Sequence, residues 1–197
     1  MYTVSCHRYR MLCMAEEKKL IIALQEPSEK EQAFSTLVSL YKERLYWHIR
    51  KMVLNHEDTD DVLQNTFIKV YKNIAHFKGD SKLYTWLYRI ATNEAINCIK
   101  KKASRQQISS QEVQTRALEN LQTDVYFEGE TIQHLLQKAI NTLPKKQQLI
   151  FKIKYFENHT FEELSEILET SVGGLKSSYH IAVKKVTHFL KSHETFS

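Results

Sequence analysis

The sequence predicts an all-α protein made of two small helical domains joined by a flexible linker, the C-terminal one a helix-turn-helix. Three observations carry that expectation. The 197 residues include only 2 prolines and 4 glycines, and no β-branched run bounded by turn residues reads as a strand. Apolar residues recur at spacings of three and four over several long stretches, the period of a helix with one buried face. Between two such regions, residues 103–130 turn rich in Gln, Ser and Thr and poor in large apolar side chains, which is linker chemistry.

Residues 1–14 lack both helical periodicity and the sustained apolar run of a secretory signal, and read as a disordered extension. The N-terminal domain is expected over 15–103. A short helix fits 15–25 and breaks near Pro27. A longer one fits 28–54, with Phe34, Leu37, Val38, Tyr41, Leu45, Ile49 and Met52 on one face. The third is expected to start at Asp58 or Thr59, both acceptable N-caps. It turns Leu63, Phe67, Val70, Tyr71 and Ile74 inward and Asp61, Gln64, Asn65 and Ile68 outward. A polar loop follows, then an aromatic helix that ends in a basic run. On that helix Leu83, Trp86, Leu87, Ile90, Ala91 and Cys98 form an apolar stripe, while Arg89, Thr92, Asn93, Ile96 and Lys100 lie on another face. Glu94 falls inside the stripe, where periodicity offers it no partner.

The linker, 104–130, carries a nascent helix near 111–121. Fully extended it reaches roughly 90 Å at ~3.3 Å per residue. The second domain, 131–193, opens with an apolar helix over 131–141. Leu143-Pro144 marks a break, with Pro144 suited to the first turn of the next helix. Thr160 and Glu163 form the T-x-x-E capping box of a short helix over 161–168. Residues 170–173 read as a tight turn. The last helix, 174–191, buries Leu175, Tyr179, Ala182, Val183, Val186 and Leu190, and shows Lys176, Ser177, His180, Lys184, His188 and Lys191 on its other face. A short capped helix, a turn containing Gly and a longer helix with a basic face are the parts of a helix-turn-helix.

Composition narrows the function. A net charge of +5 favours a polyanionic partner, nucleic acid before membrane. No apolar run approaches the ~18 to 20 residues of a membrane span. Cys6, Cys13 and Cys98 have no metal-ligand spacing and form no disulfide framework, which points to a reducing compartment and a cytoplasmic location. The sequence holds no phosphate-binding glycine loop, no His-Glu metal motif and no nucleophile setting, so neither an enzyme nor a cofactor or metal requirement is expected.

Three blocks then carry a resemblance. The segment from Asp61 to Tyr71, DVLQNTFIKVY, resembles the core-polymerase-binding helix of bacterial RNA polymerase sigma factors. The segment from Phe77 to Asn93, FKGDSKLYTWLYRIATN, is similar to the promoter-opening segment of the extracytoplasmic-function (ECF) branch of the sigma-70 family. Thr160 to Leu164 and Ser171 to Ser177 resemble the helix-turn-helix of that branch. The resemblance implies an initiation factor with core RNA polymerase and promoter DNA as partners, an anti-sigma factor as regulator, and no small-molecule substrate. It places polymerase contacts on Asp61, Gln64, Asn65 and Ile68. It places −10 contacts on Phe77, Lys78, Gly79, Asp80, Ser81, Arg89, Asn93 and Lys100, and −35 contacts on Lys176, Ser177, Ser178, His180 and Lys184.

The residues suit those tasks. Opening a promoter extrudes a base, which costs a few kcal/mol and needs a pocket to receive it. The loop beside Tyr84 and Trp86 is a candidate pocket, Asn93 offers a donor and an acceptor to a base edge, and Lys100, Lys101, Lys102 and Arg105 can hold phosphates. There are three departures from the family pattern. Asn65 stands where Glu is usual. Ser178, Ile181 and Val183 stand at recognition-helix positions where Arg is frequent. Gln148 replaces a frequent Arg, which puts a scaffold contact in question. A plain helix-turn-helix regulator that ignores polymerase is the competing reading. It accounts for the C-terminal half but not for the block at 77–102.

Overall fold

The computed structural model describes residues 14–106 and 131–194, and within them every regular element is a helix. The chain runs α1 (Met14–Gln25), α2 (Lys30–Val53), α3 (His56–Asn73), a 3₁₀ turn (Ile74–His76) and α4 (Leu83–Gln106). It resumes with α5 (Thr131–Asn141), α6 (Lys145–Glu157), α7 (Phe161–Leu168) and α8 (Val172–Glu194). The extension at 1–13, the nascent helix near 111–121 and most of the linker lie outside the described residues. Residues 104–106, expected as linker, continue α4.

The first core is the meeting of the stripes read from sequence. Leu37, Leu45 and Ile49 of α2, Leu63 and Val70 of α3, and Leu83, Leu87 and Ala91 of α4 are buried together. At about 25 cal/mol per Å², burying one such aliphatic side chain is worth ~1.5 to 3 kcal/mol, which outweighs the weak intrinsic preference of any single helix. Trp86, Ile90 and Cys98 lie half-buried at the edge of this core. Tyr71, expected inside, stands on the rim. Its ring meets Phe34 edge-on at 5.0 Å and Lys30 Nζ lies 4.1 Å above it. Glu94 acquires a reason: its carboxylate pairs with Lys69 of α3 at the margin of the stripe.

Several helix starts differ from expectation by one to three residues. α3 opens at His56, with Asn55 as N-cap, because the Asn55 side chain accepts the Asp58 N–H at 3.0 Å and leaves Asp58 inside the first turn. α8 opens at Val172 rather than 174, and the Ser171 hydroxyl accepts the Gly174 N–H at 3.3 Å. Pro144 sits one residue earlier than expected, at the N-cap of α6. The capping box on α7 is present in full, with Thr160 and Glu163 each serving the other's backbone N–H.

The C-terminal helices enclose two smaller clusters. Ile140, Leu143, Phe151, Ala182 and Val186 make one; Ile150, Ile153, Leu164 and Leu175 make the other. Gln148 fills the place of the frequent Arg with a scaffold contact of its own. Its amide donates to Asn141 Oδ1 at 2.9 Å and to Ile140 O at 3.4 Å, which ties α6 to the end of α5. The two modules are in contact: α7 packs along α4 and α6 touches α2. Ile167 of α7 is buried in the first core, with Leu149 and Leu168 against it.

Candidate nucleic-acid interface

The loop between α3 and α4 is built by residues on both sides and by α1. Gly79 takes φ +77°, a left-handed conformation that costs a glycine little and other residues more. The Gln25 side-chain amide donates to Phe77 O at 2.9 Å, fixing the entry to the loop. The Leu83 N–H donates to Glu17 Oε1 at 2.6 Å, which caps the N-terminus of α4 and fixes the exit. Sequence reading left α1 without a role; it braces the loop. Phe77 itself points inward, buried and 5.1 Å from the Trp86 ring, so it anchors the loop while Lys78, Gly79 and Asp80 are exposed and Ser81 is half-buried.

Along α4, Asn93 and Lys100 are exposed and Arg89 is half-buried. Thr92, grouped with them by periodicity, is buried instead, and its hydroxyl lies 2.9 Å from His48 Nε2. Lys102 is committed to Asp58 at 2.6 Å, while Lys100, Lys101 and Arg105 stand exposed at the end of the helix. On α3, Asp61, Gln64, Asn65 and Ile68 are all exposed, and Ile68 shows 44% of its surface. On α8, Lys176, Ser177, His180 and Lys184 are exposed and Ser178 is half-buried. Ile181, where Arg is frequent, is also exposed, so that position presents an apolar side chain. Lys176 Nζ lies 5.8 Å over the Phe161 ring, close enough for the ring to orient it.

A polar cluster lies where the modules meet, and sequence reading missed it. Glu157, at the end of α6, has both carboxylate oxygens 2.9 Å from His48 Nδ1 of α2. Lys51 Nζ stands 3.8 Å away and His159 Nε2 3.3 Å. The His159 ring packs on Tyr84 and Tyr88 of α4, with centroids at 6.1 and 5.0 Å. Burial by itself raises the Glu157 carboxyl, but His48, His159 and Lys51 together override it and hold the group well below the ordinary carboxylate range. Burial lowers the Lys51 ammonium, against the opposing pull of Glu157. Burial, and then the bond to Glu163, pushes the Tyr84 hydroxyl up. No sequence signal links His48 to a residue 109 positions later.

Linkage gives this cluster an acid dependence. A carboxyl held below its ordinary 4.5 contributes its full stabilisation above that pH and loses it progressively as pH falls further. Thermal unfolding followed by circular dichroism should show a midpoint that falls below pH ~4.5 more steeply in the wild type than in Glu157→Gln. Parallel slopes would remove Glu157 as the source.

Comparison with known proteins identifies the two modules. The family model described as Sigma-70 region 2 matches residues 37–105, spanning α2 to α4. The model described as Sigma-70, region 4 matches residues 133–186, spanning α5 to α8. The ECF RNA polymerase sigma factor SigW of Bacillus subtilis (strain 168) is 30% identical over 159 residues, which cover 76% of this chain and 84% of that protein. Among solved structures, CnrH in complex with the cytosolic domain of CnrY superposes with a TM-score of 0.64 at 19% identity, covering 89% of this chain and 97% of that one. The sigma factor RpoE in complex with the anti-sigma factor NepR, from Bartonella quintana, gives 0.59 at 20% identity, covering 80% and 96%. These two likenesses establish a shared fold. With two family models in chain order and a relative 30% identical over 84% of its length, the chain belongs to the ECF branch of the sigma-70 family of RNA polymerase sigma factors.

Proposed function

We propose that this sigma factor divides initiation among three faces. The exposed face of α3, Asp61, Gln64, Asn65 and Ile68, docks on core RNA polymerase. The braced loop and α4, through Lys78, Gly79, Asp80, Ser81, Arg89, Asn93 and Lys100, take the opened −10 strand. Phe77 serves that loop as its buried anchor. The outer face of α8, with Lys176, Ser177, Ser178, His180 and Lys184, lies in the major groove of the −35 duplex. The observation that carries this reading is the exposure of Ile68 within a polar row on α3. An apolar side chain left in water beside three hydrogen-bonding groups is the composition of a protein interface, and a regulator that acts on DNA alone has no use for it.

The −35 preference is expected to differ from that of Arg-reading relatives. Without Arg on that part of α8, bidentate guanine contacts give way to single bonds from Lys, Ser and His. The proposed regulator is an anti-sigma protein, the kind of partner with which RpoE of Bartonella quintana was solved. The role is one of binding and strand separation, with no reaction on a small molecule.

Pull-down with core polymerase, followed by transcription from promoters carrying candidate −10 and −35 elements, tests the whole reading. Binding to promoter duplex with indifference to polymerase would replace it with a plain helix-turn-helix regulator. A narrower measurement addresses α8. Lys184→Ala should lower the slope of log affinity against log salt by about one, because one phosphate contact and its released counterion are lost. Sequence preference should stay as it was; a changed −35 preference would place Lys184 on a base.

A further inference from the structure

One side chain on the outer face of α8 does not match its neighbours. Ile181 shows 45% of its surface and is the one exposed large apolar residue of that helix among the described residues. At ~3.6 residues per turn, Ser177, Ile181, Lys184 and His188 share a stripe about 60° wide, with Lys176 and His180 along one side of it. All six are exposed. An isoleucine at the margin of a helix face needs no explanation. This one lies within the row of hydroxyl, imidazole and ammonium groups, and it joins neither of the clusters that the C-terminal helices enclose. Its setting is rigid. Leu175 and Ala182 are fully buried on the inner side of α8, with Val186 close to it. A β-branched side chain in a helix keeps one strongly preferred χ1 rotamer, so Ile181 holds its methyl groups in a fixed place and loses little freedom on contact. The Lys185 ammonium, one turn on, is turned aside to Gln147 Oε1 at 3.3 Å.

We propose that Ile181 is a specificity residue of the −35 contact: its side chain packs on the C5-methyl group of a thymine in the major groove and selects a T·A pair where an arginine would select guanine. The proposal rests on the reading of α8 as the major-groove helix. The chemistry of the groove leaves isoleucine few choices. Guanine shows two acceptors there, adenine an acceptor and a donor, and cytosine an amino donor; thymine alone shows a methyl group beside its acceptor. An isoleucine pressed on any of the first three strips water from polar groups and returns no hydrogen bond, which is costly. On thymine it covers a methyl group instead. The neighbours supply what an apolar contact lacks. Lys176 and Lys184 bring positive charge for the phosphates, and Ser177 and His180 offer hydrogen bonds, so the helix is held in the groove by groups around the isoleucine. The company also separates Ile181 from Ile68. Ile68 shares its face with Asp61, a carboxylate that phosphates repel, and has the exposed Tyr71 one turn away. Ile181 has lysines and no second exposed large apolar side chain on its helix, which is too little for the apolar centre of a protein interface.

The test uses holoenzyme, the full-length protein on core polymerase, with a promoter duplex library randomised over the −35 element. Sites are selected with the wild type, Ile181→Ala and Ile181→Arg. In the site that the wild type enriches, each thymine is then replaced in turn by deoxyuridine, which keeps the base pair and removes only the methyl group. Burial of one methyl group corresponds to about four-fold in affinity. Expected results are one thymine whose replacement weakens wild-type binding about four-fold, loss of that effect and of the thymine preference in Ile181→Ala, and a shift to guanine at that position in Ile181→Arg. Circular dichroism checks that the exposed substitutions leave the fold intact. A wild type insensitive to deoxyuridine at every position overturns the proposal, and so does an Ile181→Ala as sensitive as the wild type. Weaker binding of Ile181→Ala to core polymerase, with no response to deoxyuridine, overturns it in favour of a protein contact. Selection with Ser177→Ala and His180→Ala separates the proposal from the reading beneath it. If these two change the enriched sequence and Ile181→Ala does not, α8 stays in the groove and the thymine contact alone fails. If none of the three changes it, α8 is not the −35 helix and both fail.

Discussion

Ile68→Glu is expected to weaken docking on core RNA polymerase by roughly thirty-fold or more. Ile68 projects from α3 with 44% of its surface in water, between Gln64 and Asn65 on the preceding turn and Lys72 on the next. In the free protein a carboxylate there stays solvated, so the fold should change by no more than ~0.5 kcal/mol. In the proposed docking the same carboxylate is driven into a desolvated centre. Truncation of a central apolar anchor commonly costs about 2 kcal/mol or more, and a buried unpaired charge adds to that. About 2 kcal/mol is a loss of roughly thirty-fold in affinity, read directly by titration of labelled sigma factor against core enzyme. Circular dichroism supplies the control for folding. Binding within two-fold of wild type would take Ile68 out of the interface and leave the polar row on α3 as an ordinary solvated face.

The sequence showed most of this fold because most of it obeys one rule. Leu37, Leu45, Ile49, Leu63, Val70, Leu83, Leu87 and Ala91 recur at helical spacing and all are buried. The capping box at Thr160 and Glu163 was legible for a related reason: its chemistry lies within four residues. What escaped was set by partners distant in sequence. Thr92 shares a helical face with Arg89 and Asn93, yet His48 draws it inward. Glu94 sits in an apolar stripe, yet Lys69 meets it from the next helix. Glu157 showed no local signal, because His48 and Lys51 lie on the other module. Phe77 failed for a different reason. A loop residue in a family motif reads as a contact, whereas an aromatic ring next to a tryptophan is worth more buried beneath the loop than displayed on it. The outward faces of α3 and α8 were legible too, since exposure there is what remains once the stripes are buried.

Asn93→Ala is expected to separate promoter opening from promoter binding. Asn93 is exposed on α4, one turn beyond Arg89, and the helix beneath it is rigidly seated by Leu87 and Ala91, both fully buried. A rigid helix presents an amide at fixed height, which is what a base extruded from its stack requires. The extrusion costs a few kcal/mol, and the protein recovers that only through contacts that exist after the strands part. One amide paired with a base edge supplies ~1 to 3 kcal/mol, so its loss should reduce open complex by about ten-fold or more. In the proposed division of labour duplex affinity rests on α8 and on phosphate contacts, and it should stay within about two-fold. Permanganate reactivity of unpaired thymines measures the first quantity and a duplex-binding titration the second, both with holoenzyme. Equal losses in the two would assign Asn93 to the closed complex. In that case strand separation would fall to the loop at 78–81, whose position Gln25 and Glu17 set from α1.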